Sequence, residues 1–165
     1  MSQKFCFIKI KNTEQPALIS TEDAALISRA SWYGMKVQYK GSVLIYAYAT
    51  INGKRTAMHR LISMPNENQV VDHINRNTLD NRRENLRNCS QSQNLMNAKV
   101  RRHSSTGLKG VFPVQLKNKS SKPKWRARIQ YKGVRKNLGT FSSPEEAHKA
   151  YVRAANSLCG EFART

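Results

Sequence analysis

The most regular pattern of hydrophobic and polar positions lies in the last third of the chain. Over residues 125–131 apolar and polar side chains alternate strictly, which predicts a β-strand with two chemically different faces. The apolar face carries Trp125, Ala127, Ile129 and Tyr131. The polar face carries Arg126, Arg128 and Gln130. Lys132-Gly133 predicts a turn into a second strand over 135–141, and residues 110–116 predict the strand that precedes both.

A helix with start and stop signals follows this predicted sheet. Ser143 is expected to cap the helix, with Pro144 at the first helical position and Glu146 as the partner in a capping box. Gly160 is expected to end it. The apolar stripe of this helix consists of Ala147, Ala150, Tyr151, Ala154 and Leu158. The stripe predicts that the helix packs on the apolar face of the sheet and leaves the polar face bare.

Residues 1–57 carry strand patterns and supply no cluster of titratable side chains. The strands are predicted at 5–10, 37–39 and 43–48, with a hairpin turn at Ile51-Asn52-Gly53-Lys54. A short helix is predicted over 21–27, with Thr21 as its N-cap. Trp32 and Tyr33 are interpreted as core anchors rather than as base-stacking residues.

The middle of the chain predicts two strands and a helix. Residues 70–74 form the first strand, and residues 85–89 run back as the second. Ser90 is expected to cap the helix that follows, with Gln93 as its partner in a capping box. The helix therefore carries Asn94 in its first turns, within reach of the hairpin.

Three polar side chains of this segment form a candidate site. Asp72 is a hard oxygen ligand and Asn94 a neutral one, which together suit a divalent ion such as Mg²⁺ that also takes phosphate oxygens. Because only one carboxylate is present, the ion would bind weakly until a phosphate supplied further oxygens. A neutral His73 beside the ion could take a proton from water for attack on phosphorus. An isolated Asp-His pair, however, more often marks an ordinary turn with capping groups.

The charge of the chain favours a polyanionic partner. The 165 residues carry a formal net charge of +19, and the sequence pI is near 10.4. Between Asn85 and Pro144 there are 14 Lys or Arg residues and no acidic residue. A continuous positive segment of this kind is typical of nucleic-acid binding, and a merely soluble basic protein is the alternative.

The composition argues against export and membrane insertion. Cys6, Cys89 and Cys159 are widely separated and form no Cys-x-x-Cys pair, which argues against a disulfide framework and against a Cys-bound zinc. No run of about eighteen apolar residues is present. Residues 1–11 lack the apolar core of a signal peptide. These features predict an intracellular, cytoplasmic protein without a membrane partner.

The middle segment resembles the HNH endonucleases, in particular the homing-type branch of phages and introns. The matching stretches are His59-Arg60-Leu61-Ile62, Val71-Asp72-His73-Ile74-Asn75, residues 79–87 and the helix with Asn94. The resemblance implies that Asp72 and Asn94 are metal ligands and that His73 is the general base. It also implies that Asn85 is the middle Asn, which braces the loop that carries the base. The implied cofactor is one divalent ion, Mg²⁺, for which Mn²⁺ can substitute. The implied setting is the cytoplasm of a bacterium or of a phage-infected host cell.

His59 and four arginines near this motif have two interpretations each. His59 is interpreted first as a packed or backbone-bonded histidine, and a phosphate contact is the alternative. The arginines either clamp phosphates near the site or are solvated. They are Arg60, Arg82, Arg83 and Arg87.

The last segment resembles the DNA-binding domain of the ethylene-response factors (APETALA-two type). The matching stretches are Lys109-Gly110-Val111, residues 125–129, residues 138–141 and the helix at 145–155. In that family the three-stranded sheet enters the major groove of DNA. The implied DNA contacts are Lys109, Arg128, Gln130, Arg135, Asn137 and Thr140, to which the polar face adds Arg126. The family usually has Arg where Phe112 stands and Trp where Asn137 stands.

The fold class expected from these segments is α+β. A small β-rich domain is predicted at 1–57, a ββα-metal (HNH) nuclease core at 58–98 and a basic linker at 99–107. A three-stranded antiparallel sheet packed on one helix is predicted at 108–165.

The expected function is metal-dependent hydrolysis of double-stranded DNA at a site chosen by the last domain. A monomer that nicks one strand per binding event is favoured, with a dimer as the alternative, and no protein partner is implied. The competing interpretation is a non-catalytic, sequence-specific DNA-binding protein with a vestigial nuclease core. An RNA-binding protein ranks last, because the sequence shows no aromatic-rich platform for single strands.

Overall fold

The computed structural model describes residues 4–39, 41–98, 100, 104–115 and 122–163. The chain divides into two compact units, Met1–Ser90 and Gln91–Thr165. Both units are mixed α+β, with small sheets and few helices. Part of the predicted linker, residues 99 and 101–103, lies outside the described residues.

Three small sheets form the described part of the first unit. Its strands are β1 (Phe5–Ile8), β2 (Ala17–Ser20), β3 (Tyr33–Tyr39), β4 (Ser42–Ile51), β5 (Lys54–Ala57), β6 (Val70–His73), β7 (Asp80–Asn81) and β8 (Leu86–Cys89). Its helices are α1 (Ala24–Ile27) and α2 (Met58–Ser63), with 3-10 turns at Thr21–Asp23 and Arg83–Asn85. The sheets have the strand orders β1-β2-β7, β3-β4-β5 and β6-β8.

One apolar core connects the predicted N-terminal domain with the predicted nuclease segment. It is formed by Ile10, Ala17, Ile19, Ile27, Trp32, Ala47, Ala49, Met58, Ile62 and Leu79. In addition, β2 pairs in parallel with β7, which places Ile19 opposite Asn81. Residues on both sides of the predicted boundary between 57 and 58 therefore share this core and a sheet.

The predictions made from local sequence signals in the first unit were partly correct. The hairpin turn is confirmed, since Ile51 lies opposite Lys54, and Asn52 and Gly53 between them have φ values of 50° and 72°. The predicted helix at 21–27 is a 3-10 turn followed by α1, and Ser20 rather than Thr21 precedes it. Helix α2 was not predicted.

The second unit contains a three-stranded antiparallel sheet and two α-helices within the described residues. Its elements are α3 (Gln91–Asn97), β9 (Val111–Pro113), β10 (Trp125–Tyr131), β11 (Val134–Phe141), α4 (Pro144–Cys159) and a 3-10 turn at Gly160–Phe162. The strand order is β11-β10-β9. The predicted bounds of β10 are confirmed, and the predicted first strand is shorter, with Leu116 outside the described residues. None of the described helices is long and apolar enough to cross a membrane.

Helix α4 begins as predicted but packs along a slightly different stripe. The Ser143 hydroxyl accepts a hydrogen bond from the Glu146 N–H at 3.1 Å, which confirms the N-cap. The buried side chains of the helix are Ala147, Tyr151, Ala155 and Cys159. Leu158 is 41% exposed, so its predicted place in the stripe was wrong. The buried residues recur at every fourth position. The last buried side chain of the helix is therefore Cys159 and not Leu158.

Replacing Gly110 by alanine is expected to destabilise the second unit by about 3 kcal/mol or more. Gly110 has a φ of +75°, and a Cβ atom there would lie 2.0 Å from Cδ2 of the buried Tyr151 ring. Gly133→Ala is the matched control, because Gly133 has a φ of +80° but no atom within 4 Å of its Cβ position. We expect the control to cost only about 1 kcal/mol. Hydrogen exchange of peptides from β10 and α4 measures both, and equal losses would contradict the packing explanation.

Candidate functional site

The hairpin of β6 and β8 carries the first two candidate residues. Asp72 lies opposite Arg87, and His73 lies opposite Leu86. Successive side chains of a strand point to opposite faces, so Asp72 and His73 have different surroundings although they are neighbours. Both are buried, at 5% exposure each. Each of these polar groups therefore depends on partners that the protein supplies.

A guanidinium group holds Asp72. Arg87 donates from Nε and Nη2 to Oδ2 of Asp72, at 2.9 and 2.8 Å. The side chains of Arg87 and Asp72 are 12% and 6% exposed, so water has little access to the ion pair. Because a buried carboxylate needs such compensation, Arg87 is a positioning residue for Asp72. The predicted phosphate contact of Arg87 stays a prediction.

The surroundings of His73 favour a neutral imidazole. Nε2 of His73 lies 3.3 Å from Oδ1 of Asn81. Because an amide oxygen only accepts hydrogen bonds, this contact favours the tautomer that carries its proton on Nε2 and its lone pair on Nδ1. Burial lowers the pKa of His73, and the hydrogen bond to Asn81 opposes this only in part. A neutral histidine with Nδ1 as acceptor is the form that a general base requires.

Two neighbours of His73 received no role from the sequence. Asn81 orients the His73 ring, and its own Nδ2 donates to the Leu79 carbonyl at 3.2 Å. The Tyr46 ring lies with its centroid 6.1 Å from that of His73. Asn81 stands inside the HNH-like stretch at 79–87, but its position depends on the pairing of β7 with β2, which no local pattern indicates.

The side chain of Asn85 bridges the loop that follows His73. Its Oδ1 accepts from the Asn75 N–H at 2.9 Å, and its Nδ2 donates to the Asp80 carbonyl at 2.7 Å. The Asn85 carbonyl also accepts from the Ile74 N–H at 2.9 Å. These hydrogen bonds tie down the segment next to His73, which is the arrangement that the HNH resemblance implies. The contribution of Asn85 to activity stays a prediction.

Arg82 and Arg83 form ion pairs with carboxylates of the first unit. Arg82 donates from Nε and Nη2 to the two oxygens of Asp80, at 2.9 and 2.8 Å. Burial raises the pKa of Asp80, but hydrogen bonds from Arg82 and Asn75 outweigh burial and hold that pKa below its usual value. Arg83 donates to both oxygens of the buried Asp23. Arg83 therefore attaches the hairpin loop to the segment of Asp23, whereas the ion pairs of Arg82 lie within the loop itself.

His59 is a packed histidine in contact with His73. It lies on α2 and is 9% exposed, with its ring centroid 5.2 Å from that of His73 and 5.6 Å from that of Tyr46. Its Nδ1 is buried and has no hydrogen-bond partner. Burial, followed by the charges of His73 and Arg60, lowers the pKa of His59 to about 3. The packed interpretation therefore describes its place in the structure, and the phosphate contact stays a prediction.

Acidification is expected to destabilise the first unit through His59. The pKa of His59 is about 3 in the folded protein, well below the ordinary value of 6.5. As the pH falls below 6.5, His59 therefore becomes protonated in the unfolded chain but stays neutral in the folded chain. The free energy of unfolding then decreases as the pH falls toward 3. The loss is about 1.4 kcal/mol per pH unit for one such group.

Urea unfolding of wild type and His59→Gln between pH 7 and pH 4.5 measures this dependence. The free energy of unfolding of the variant should fall less steeply with decreasing pH, by about 1.4 kcal/mol per pH unit, which corresponds to one proton. Between pH 7.5 and 8.5 the two proteins should have parallel profiles, because the imidazole is then neutral in both states. Equal slopes at acidic pH would show that His59 is protonated in the folded protein.

Asn94 lies on α3, which belongs to the second unit. Met96 of the same helix packs in a cluster with Tyr151. The Lys109 ammonium donates to the carbonyl of Met96 in the last turn of α3 and to that of Ala98, just after the helix. For Lys109 the structure thus shows a helix-capping contact, and its predicted contact with DNA is not needed to explain its position. The role of Asn94 as a metal ligand stays a prediction.

The donors of the hairpin fit a hard divalent cation that is shared with the substrate. Asp72 supplies carboxylate oxygens at the end of β6. No group of three or more His, Cys, Asp or Glu side chains that could hold a metal comes together in the part of the chain that the structure describes. Mg²⁺ is often held by one or two carboxylates together with substrate phosphates, so the Asp72 carboxylate matches part of its needs.

The polar face of the second unit's sheet brings six predicted DNA contacts together. They form the cross-strand pairs Arg126 with Thr140, Arg128 with Asn137 and Gln130 with Arg135. Residues paired across an antiparallel ladder share a face. The opposite face carries Ala127 and Ile129, which are buried in clusters with side chains of α4. The structure therefore separates a polar surface from the core, as the alternation predicts.

Comparison with known proteins identifies the hairpin segment. Residues 63–96 match the HNH endonuclease family, and this range contains the four residues Asp72, His73, Asn85 and Asn94. The chain is also 29% identical, over 153 residues, to a protein named as an uncharacterized HNH endonuclease of Acanthamoeba polyphaga mimivirus. That similarity covers 89% of this chain and 72% of the relative. No solved structure matches the chain. The match of residues 63–96 to the HNH endonuclease family points to a nuclease, and the resemblance of the last segment to ethylene-response factors stays a prediction.

Proposed function

We propose that this protein is a metal-dependent DNA endonuclease that hydrolyses a phosphodiester bond in duplex DNA. The observation that carries the proposal is the buried Asp72-His73 pair at the end of β6, within the segment that matches the HNH endonucleases. The pair combines a carboxylate that can hold a hard cation with an imidazole that burial keeps neutral. These are the two groups that metal-assisted hydrolysis of a phosphodiester requires.

His73 acts as the general base in the proposed reaction. Its Nδ1 accepts a proton from a water molecule while the water oxygen forms a bond to phosphorus, and the bond from phosphorus to the leaving oxygen breaks. Asn81 keeps the imidazole in the required tautomer through Nε2. Asn85 holds the loop next to the base. Asp72 would hold a Mg²⁺ ion, or Mn²⁺ in its place, and Asn94 is the second ligand that the HNH resemblance implies; the bound ion would stabilise the charge on the phosphate and the leaving oxygen.

The second unit supplies the proposed DNA-binding face. Guanidinium groups bind phosphates and guanine edges through paired hydrogen bonds, and Arg126, Arg128 and Arg135 all lie on the polar face of the sheet. The positive charge of the segment between residues 85 and 144 attracts the DNA backbone without regard to sequence. Because a hairpin with a helix offers few contacts to bases, this separate face would choose where the nuclease domain cuts.

Incubation with supercoiled plasmids tests the proposal. We expect relaxed circles in the presence of Mg²⁺ and none in EDTA, with plasmids that carry flanking DNA from the protein's own genome among the substrates. Relaxed rather than linear product is expected, because a monomer with one active site cuts one strand per binding event. Plasmids that are retarded in a gel but stay supercoiled with every metal and target would contradict the nuclease and indicate a DNA-binding protein with a silent HNH domain.

A further inference from the structure

An aromatic side chain lies exposed on the polar face of the second unit's sheet. Phe112 of β9 is 43% exposed and lies opposite Arg126 in the ladder with β10. The preceding residue, Val111, points to the other side and is buried in a cluster with Ala127 and Ala147. Phe112 therefore shares its face with the proposed DNA contacts and lies outside the core.

Arg128 covers one side of the Phe112 ring. Its guanidinium carbon lies 4.4 Å from the ring centroid. The backbone of Arg128 is held as well, since its N–H donates to the Gly110 carbonyl at 2.8 Å. Stacking of a planar guanidinium on an aromatic face restricts a side chain that otherwise has many conformations. The two side chains are thus arranged before any ligand binds.

The paired side chains have complementary preferences in the major groove of DNA. A guanidinium group donates two hydrogen bonds to O6 and N7 of guanine, and an apolar side chain packs against the 5-methyl group of thymine. Adjacent base pairs are about 3.4 Å apart along the helix axis. This spacing is similar to the 4.4 Å between the guanidinium carbon and the ring centroid. The pair can therefore address two neighbouring base pairs.

We propose that Phe112 and Arg128 together read a T·A base pair next to a G·C base pair in the DNA target. The inference rests on the proposed binding of duplex DNA by this face and adds the sequence that the face prefers. Phe112 contacts the thymine methyl group, and Arg128 binds the guanine edge. The same pair discriminates against duplex RNA, because uracil lacks the methyl group and the major groove of RNA is too deep and narrow for side chains.

Selection from a randomised duplex library identifies the preferred site. The full-length His73→Ala protein is used in EDTA, so that bound DNA stays intact. We expect the selected sequences to share a guanine with a neighbouring thymine at a constant position. The Arg128→Ala variant should lose the preference for guanine, which we expect to be about 5- to 150-fold.

Replacing the selected thymine by deoxyuridine tests the methyl contact without changing the protein. The affinity of the parent protein for the duplex should fall about fourfold, which is the expected effect of losing the burial of one methyl group. The Phe112→Ala variant should bind the two duplexes equally well and keep a weaker preference for guanine, because Arg128 then lacks the ring that restricts its side chain. Val134→Ala is the control, since Val134 is an exposed apolar residue of the same sheet near the turn. This control should show the same fourfold difference as the parent.

Different results overturn different parts of the argument. Equal affinity of the parent for thymine and deoxyuridine duplexes overturns the proposed reading by Phe112 and leaves the DNA-binding face intact. A loss of affinity in Phe112→Ala that is the same for both duplexes also overturns it, and indicates insertion of the ring between base pairs instead. Failure of the chain to retard any duplex at low salt overturns the proposed DNA-binding function together with the inference.

Discussion

Replacement of His73 by alanine is expected to lower the rate of DNA cleavage by about 10²- to 10⁴-fold and to leave DNA affinity unchanged. The imidazole is kept neutral by burial, and Asn81 orients its Nε2, so the variant removes the proton acceptor and changes no residue of the proposed DNA-binding sheet. The rate is measured as single-turnover cleavage of an end-labelled duplex with protein in excess, because product release then does not limit it.

Asn81→Ala is the matched control for this prediction. It removes the 3.3 Å contact that orients the ring but retains the imidazole, so we expect a smaller loss of rate than in His73→Ala. Circular dichroism establishes that each variant is folded before its rate is compared. Cleavage at the wild-type rate by His73→Ala would rule out the general-base role, and a larger loss in Asn81→Ala would assign the chemistry to a group other than His73.

Most of the second unit could be predicted from the sequence because its signals are local. The strict alternation at 125–131 places β10, and the turn at Lys132-Gly133 has the positive φ values, 48° and 80°, that the short connection requires. The cap at Ser143 likewise needs only residues within one turn of helix. The prediction for Leu158 was wrong, because the packing partners of the helix decide which side of its last turn is buried.

The first unit was less predictable because its structure depends on long-range contacts. Helix α2 has no side-chain hydrogen bond at its N-cap. The interaction that the structure shows for this helix is the burial of Met58 and Ile62 in the core. Strand β7 contains only two residues and exists through its pairing with β2, about sixty positions earlier in the chain. Neither element has a periodicity that a short window of sequence could show.

The same distinction applies to the candidate site. The motif around Asp72, His73 and Asn85 could be recognised, since these residues lie in one continuous segment of the chain. Their partners could not all be assigned: Asn81 depends on β7, and the contact of His59 with His73 depends on α2. The pairing of Asp72 with Arg87 was in principle accessible, because the hairpin register places these two residues opposite each other.

Replacement of Arg87 by methionine is expected to destabilise the first unit by about 3–5 kcal/mol. The guanidinium donates twice to Oδ2 of the buried Asp72, so its removal leaves that carboxylate without its cationic partner. The double variant Asp72→Asn, Arg87→Met should recover most of the loss, because no buried charge is then left uncompensated. Urea unfolding in a Trp125→Phe background measures the free energies, since fluorescence then reports Trp32, which is buried in the core of the first unit.

Mg²⁺ separates the structural role of Asp72 from its proposed role as a ligand. Saturating Mg²⁺ should raise the Tm of Arg87→Met, because the cation replaces the missing positive charge at Asp72, and it should have no such effect on the double variant. Glu84→Gln is the control for charge removal in general, since Glu84 pairs with Arg82 at an exposed position, and its cost should be below about 1 kcal/mol. A Mg²⁺-dependent rise in Tm that persists in the double variant would place the metal away from Asp72. A neutral effect of Arg87→Met would show that the carboxylate tolerates burial without the guanidinium, and the positioning role of Arg87 would then be lost.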